Sequence, residues 1–468
     1  MRNSPNEKNL NFLIIVTAII AGCFFRWAYL DVESGDWERH LGPWYDFINS
    51  HGGFQALKFD FSNYPPAYLY LILVATWLPV PKLYALKLMS IIFDFVLAAF
   101  AYRAVKFKYP VGAWAASAFA IVFLLPTVMI DSAVWAQCDS IYVSFLLGCV
   151  YYLMKKKPIE AMIVFGLAFS FKLQAIFLLP MLLALLIKGE LRISRFLIFP
   201  LIYILTIVPN VFAGKPFVDL LFFYQNQAES HTTLVLNAPN IYQWLRNLRY
   251  DGFGGVIVII GCIVVIAFVI FGFRRFIETI RSVDRIGKVS LIILLLGPAF
   301  MLLRPFVDLI FMVTHHRDAF SVLKTDFPSL YESIVTGVGN EFGMIGVYAG
   351  FLAVAALCYL VFRTRKKIIG NPMLTVQLAL VSVLMLPFLL VRMHERYFFP
   401  ADIIAIVYAF YQPKRFFVPI AIVSISLLSY CPYLLGKEIV SLAYLAVGLS
   451  IIIILTVCDF VKAINEKG

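Results

Sequence analysis

The sequence predicts an all-α fold, a polytopic bundle of about 14 membrane-spanning helices. Three observations predict it: an apolar composition, apolar runs of spanning length, and basic residues confined to the gaps between those runs. Of 468 residues, 62% are hydrophobic, 16% aromatic and only 14% charged, whereas about a quarter of a soluble globular chain is charged. No soluble fold covers that much apolar surface. From Asn11 almost to the last residue the runs measure about 20 residues, enough for a helix to cross roughly 30 Å of hydrocarbon.

The net charge of +12 does not imply nucleic acid, because Lys and Arg stand in short clusters between apolar runs rather than along one polar face. No nucleic-acid partner is expected; membrane lipid is. The seven Cys lie mostly within apolar segments, with no CxxC and no Cys/His spacing suited to zinc, so neither disulfides nor a structural metal is indicated. The polar start, Met1 to Leu10, precedes a long apolar run without a small-residue cleavage site, which reads as a first span rather than a removed signal.

Placing the basic clusters in the cytoplasm orients the chain. The clusters are Arg2/Lys8, Arg103/Lys106/Lys108, Lys155 to Lys157, Lys188/Arg192/Arg195, Arg274 to Lys288, Arg363 to Lys367, Lys414/Arg415 and Lys462/Lys467, and both termini fall inside. The first span, Asn11 to Leu30, then leads to an external loop, Asp31 to Pro65, with interfacial helices. Pro66 to Leu78 poses a parity problem if it crosses. It is short, begins at Pro65-Pro66 and ends in Pro79 and Pro81, so it reads as a re-entrant or interfacial helix. The run Ile159 to Ile187 is interrupted by Lys172 and Gln174 and reads as two short helices meeting near the outer face. Gly214 to Gly252 and Thr314 to Asn340 are the other long external loops. With no repeat and no long polar stretch, residues 1–468 form a single domain.

Polar residues at the ends of spans are expensive and point to function. Here they collect outside: Ser34-Gly35-Asp36-Trp37-Glu38-Arg39-His40, Asn63-Tyr64-Pro65-Pro66, Trp135-Ala136-Gln137-Cys138-Asp139-Ser140, Lys172-Leu173-Gln174, His315-His316-Arg317-Asp318 and Arg392-Met393-His394-Glu395-Arg396. An active site on this chain therefore faces outward. Adjacent His315 and His316 point apart and make a poor metal pair. Asp94, inside an apolar span, reads as a paired structural acid. Glu38, Arg39 and His40 are as compatible with anchoring an interfacial helix as with touching substrate, and Tyr64 with shaping its loop.

The segments GDWERH, YPP, WAQCDS, FKLQAIFLLP and HERYFF, taken in order from Gly35 to Glu395, resemble the GT-C superfamily of membrane glycosyltransferases. The likeness is nearest to the dolichyl-phosphate-glucose glucosyltransferases, with their GD(F/Y)EAQRHW, DYPP and late HE motifs, and to bacterial relatives of the GPI-anchor mannosyltransferases. This chain departs from the pattern at WERH and at Asn63, which replaces the Asp before YPP, so the donor sugar stays open. The resemblance implies a GT-C-type bundle and an inverting transfer from a polyprenyl-phosphate sugar donor to a lipid-linked or cell-surface glycan acceptor. Asp36 matches the family's catalytic Asp. A positioned carboxylate base accelerates attack by a sugar hydroxyl about 100- to 10,000-fold, and the phosphate leaving group needs cations or hydrogen-bond donors. Arg392, His394, Arg396 and Lys172 stand on the same side to supply them, with Glu395, Gln174, Gln137 and Asp139 as further binding residues.

A lipid-linked donor accounts for the lack of a nucleotide-binding loop, and 44 Phe are enough to line a groove for its tail. Asp36 and Glu38 have a spacing that suits a divalent metal, but the glucosyltransferases it resembles work without one, so no metal or other cofactor is expected. The resemblance to bacterial proteins points to a bacterial plasma membrane and an undecaprenyl carrier. A lipid-linked glycan flippase or other transporter, a polysaccharide ligase and a non-catalytic scaffold are the alternatives.

Overall fold

The computed structural model describes residues 5–228, 235–243 and 328–466. The cluster Arg274 to Lys288 and the stretch His315 to Asp318 lie outside them, as do parts of the loops Gly214 to Gly252 and Thr314 to Asn340. The second loop is shorter than its reading, because Pro328 already opens the helix Pro328–Arg363.

Among the described residues, seven helices are long and apolar enough to span a membrane: Pro5–Ala28, Lys82–Lys108, Ile193–Ala213, Gly346–Arg363, Pro372–Leu389, Pro413–Leu435 and Leu442–Asn465. The pair Trp114–Phe123 and Pro126–Val134, bent by 43°, adds an eighth if it is one span. The protein is a helical membrane protein. Pro372–Leu389 forms its centre, with 83% of its apolar window buried, while Pro5–Ala28, at 17%, lies at the edge.

Proline sets several of the boundaries. Pro66, Pro158 and Pro372 each occupy the first helical turn, where the missing N–H costs nothing. The helix Pro66–Ala75 is ten residues long, about 15 Å at 1.5 Å per residue, half a bilayer core. The run across Lys172 does divide: Pro158–Phe171 ends at Lys172, whose extended backbone (φ −158°, ψ 135°) leads into a 3₁₀ turn and the helix Leu179–Ile187. The loop Asp31 to Pro65 carries a π-turn at Trp37–Leu41, the helix Gly42–Ser50 and a 3₁₀ turn at Gly53–Lys58.

Among the described residues three apolar cores hold these elements, a minor one of Tyr203, Ile207, Leu220 and Tyr224 and two main ones. The larger runs through the helices Asp139–Met154, Pro372–Leu389 and Phe399–Tyr411. The smaller seats Trp37, Trp44 and Ile48 of the first loop on Leu69, Ile72 and Leu86. Cys138 and Ile141 belong to the smaller core and Tyr142 to the larger, so the segment that opens at Asp139 joins them.

Two buried cations fasten the first helix. Arg26 donates from Nε to Asp94 Oδ2 at 2.9 Å and lies 4.2 Å over the Phe123 ring. Asp94 also accepts from Ser132 and Ser140, so it is the paired acid its position implied. Lys87, fully buried, donates to the carbonyls of Tyr29, Leu30 and Val32. These carbonyls follow directly on the helix end at Ala28, so the lysine of a neighbouring helix fixes where the first loop departs.

Candidate functional site

The loops that flank the ends of these helices meet at a cavity of about 130 Å³. Asp36, at the entrance to the π-turn Trp37–Leu41, is its central acid. Three elements reach this carboxylate. Trp135 Nε1 (3.0 Å), Gln137 Nε2 (2.5 Å) and Arg396 Nη2 (3.4 Å) donate to Oδ2, and the Tyr433 hydroxyl (2.9 Å) donates to Oδ1.

Local backbone explains the convergence. Residues 130–134 form a second π-turn, closed by Trp135 N to Ile130 O at 2.8 Å, and π-turns concentrate at functional sites. Ala136 then takes φ +63°, a left-handed conformation that costs a residue with a Cβ on the order of 1–2 kcal/mol. The turn it makes brings the side chains on either side of it to one oxygen. Ser34 ties the two loops together, donating to Trp135 O at 2.7 Å and accepting from Trp37 N.

Beneath Asp36 lies a buried ion cluster. Asp139 pairs with Lys172 and, at 3.3 Å, with Arg396. Asp139 also donates its backbone N–H to Asp131 Oδ2. Burial alone would pull the Lys172 ammonium down, but Asp139, together with Tyr64 and Cys138, outweighs it and holds Lys172 well above the usual lysine range. The same opposition, burial against Asp139 and other acids, keeps Arg396 firmly charged. The Arg396 guanidinium lies 4.7 Å over the Trp135 ring, which aims it between the two acids.

Of the residues singled out from the sequence, Asp36, His40, Tyr64, Gln137, Lys172, Gln174, His394 and Arg396 line the cavity. Tyr64 donates to Gln137 Oε1 at 3.2 Å, and Gln174 Oε1 is buried with no hydrogen-bond partner. Asp139 and Glu395 are buried behind the cavity wall. Glu38 and Arg39 are exposed and do not line the cavity, and neither does Arg392, whose φ of +62° turns the chain into the His394 segment. Among the described residues no three His, Cys, Asp or Glu side chains form a metal-holding group.

Sequence reasoning passed over Trp135 as a donor and Tyr433 altogether. Trp135 was legible as part of WAQCDS. Tyr433 follows Pro432 at the end of an apolar helix that starts beside Lys414 and Arg415, so the charge pattern already placed it at the same end as the first loop.

The chain matches no protein-family profile and no curated protein.

Proposed function

We propose that the protein is an inverting glycosyltransferase that moves a sugar from a polyprenyl-phosphate donor to a lipid-linked or polymeric glycan acceptor. The fuller reading has about 14 spans, both termini in the cytoplasm of a bacterial cell and the cavity facing outward across the plasma membrane. One observation carries it: a part-exposed carboxylate, Asp36, shares a cavity with Lys172, His394 and Arg396. That arrangement supports a base beside a set of phosphate ligands around one small volume. The acceptor hydroxyl gives its proton to Asp36 as its oxygen attacks the anomeric carbon, and the polyprenyl phosphate leaves with the bonding electrons.

Lys172 spends one N–H on Asp139, and Arg396 makes two hydrogen bonds, at 3.3 and 3.4 Å. An ammonium has three N–H donors and a guanidinium five, so both retain donors for a phosphate. Each cation already faces a carboxylate, Asp139 or Asp36. This balance favours a carrier with a single negative phosphate over a diphosphate, which counts against the polysaccharide-ligase alternative. The buried pair Arg26–Asp94 is the observation that favours a transporter, since charges within spans often mark transport pathways.

The test uses purified protein with a panel of radiolabelled polyprenyl-phosphate sugars and a membrane-glycan acceptor extract, with and without EDTA, beside Asp36→Asn. Turnover of one donor by wild type, lost by at least about 100-fold in the variant and indifferent to EDTA, is the expected result. No turnover of any donor, or an equally active variant, overturns the assignment and puts transport first.

A further inference from the structure

A carboxylate oxygen has about two lone-pair sites. Among the described residues, Asp36 Oδ2 already accepts from Trp135, Gln137 and Arg396, whereas Oδ1 accepts only from Tyr433. We propose that Oδ1 is the atom that takes the acceptor's proton and that Tyr433 is the positioning residue that presents it. This rests on the glycosyltransferase reading and deepens it. In the transfer, the acceptor O–H bond breaks toward Oδ1, the new C–O bond forms at the anomeric carbon, the bond to the carrier phosphate breaks with its electron pair, and Asp36 later gives the proton to water. Oδ2 stays saturated throughout, so the acceptor approaches from the Oδ1 side.

Two independent features support the role of Tyr433. Its ring stacks on Trp135 (4.6 Å between centroids, 19° between planes), so the two aromatic donors, one to each carboxylate oxygen, form a single rigid unit. Gly35, next to Asp36, leaves it room: a Cβ there would lie 3.1 Å from the Tyr433 hydroxyl oxygen, close enough that the hydroxyl would have to give by a few tenths of an ångström. The glycine of the GDWERH segment thus has a task, to let the Tyr433 hydroxyl reach its neighbour's carboxylate.

Tyr433→Phe and Gly35→Ala disturb this one contact from opposite sides and leave the cations of the cavity in place. With the donor that wild type consumes, both variants should keep the donor KM within about twofold. Each should lose roughly tenfold in kcat, the loss expected of a misoriented reacting group. A Tyr433→Phe enzyme as fast as wild type overturns the inference and leaves the glycosyltransferase reading standing. So does a loss confined to donor KM, or a loss that follows the folded fraction in size-exclusion chromatography. A wild type that consumes no donor overturns the reading and this inference together.

Discussion

Burial pushes the Glu395 carboxyl up from 4.5 to about 7, although the Arg396 guanidinium beside it pulls the other way. Between those pH values the folded protein keeps a proton that the unfolded chain has released, so the native state binds more protons and stability falls as pH rises through the window. The contribution is full below pH 4.5, and its loss is complete just above pH 7. The difference amounts to on the order of 3 kcal/mol. In Glu395→Gln the melting temperature should decline less between pH 5 and pH 8 than in wild type, as read by a thiol-independent thermal-shift assay in detergent. An unchanged slope would show that Glu395 does not titrate there. At this scale the sequence was informative in two ways: Lys172 stood out by interrupting an apolar run, and Asp36 and Arg396 by standing in polar segments that carry the motif resemblance. It was silent on Tyr433, because a tyrosine near the end of an apolar helix is ordinary and its partner lies 397 positions away.

The segment Val235 to Gln243 shows how one element supports another. The helix Pro372–Leu389 ends just before the His394-Glu395-Arg396 turn, and its last carbonyls have no partners within the helix. Asn240 Nδ2 donates to Leu390 O (3.0 Å) and Pro387 O (3.4 Å), Ile241 N to Phe388 O, and the Tyr242 hydroxyl to Leu389 O (2.8 Å). Leu236 N completes the strap on Met393 O at 2.9 Å. This segment is therefore a cap that sets where the cavity's His394 and Arg396 begin. Asn240→Ala leaves buried carbonyls unpaired and should cost roughly 1–3 kcal/mol, seen as a lower melting temperature. Tyr242→Phe, losing one bond, should cost about half as much. The helical elements themselves were largely legible. Prolines marked the short helix at Pro66, and a lysine beside a glutamine marked the break at Lys172. The strap was not, since Asn-Ala-Pro-Asn reads as common loop chemistry and nothing local says which helix end it closes.

At the scale of the whole molecule, two cations buried among the described helices, Arg26 and Lys87, are each held by a full set of partners. Arg26 has Asp94, the Gly22 and Phe123 carbonyls and the Phe123 ring. Removing one partner of such a pair costs far more than removing both, because the survivor stays buried and uncompensated. Arg26→Leu or Asp94→Leu alone should destabilise by about 3–5 kcal/mol, and the double variant should recover most of that loss, measured by thermal or denaturant unfolding in one detergent. Additive losses would show that the two do not act as a pair. The wiring of Asp36 has a consequence in time as well. Its partners stand near positions 135, 396 and 433, so at ribosomal rates the last of them is synthesised on the order of 20 to 80 s after Asp36 itself. Until then the acid can have Trp135 and Gln137 but neither Arg396 nor Tyr433, and a chain released early carries the carboxylate but not the whole site.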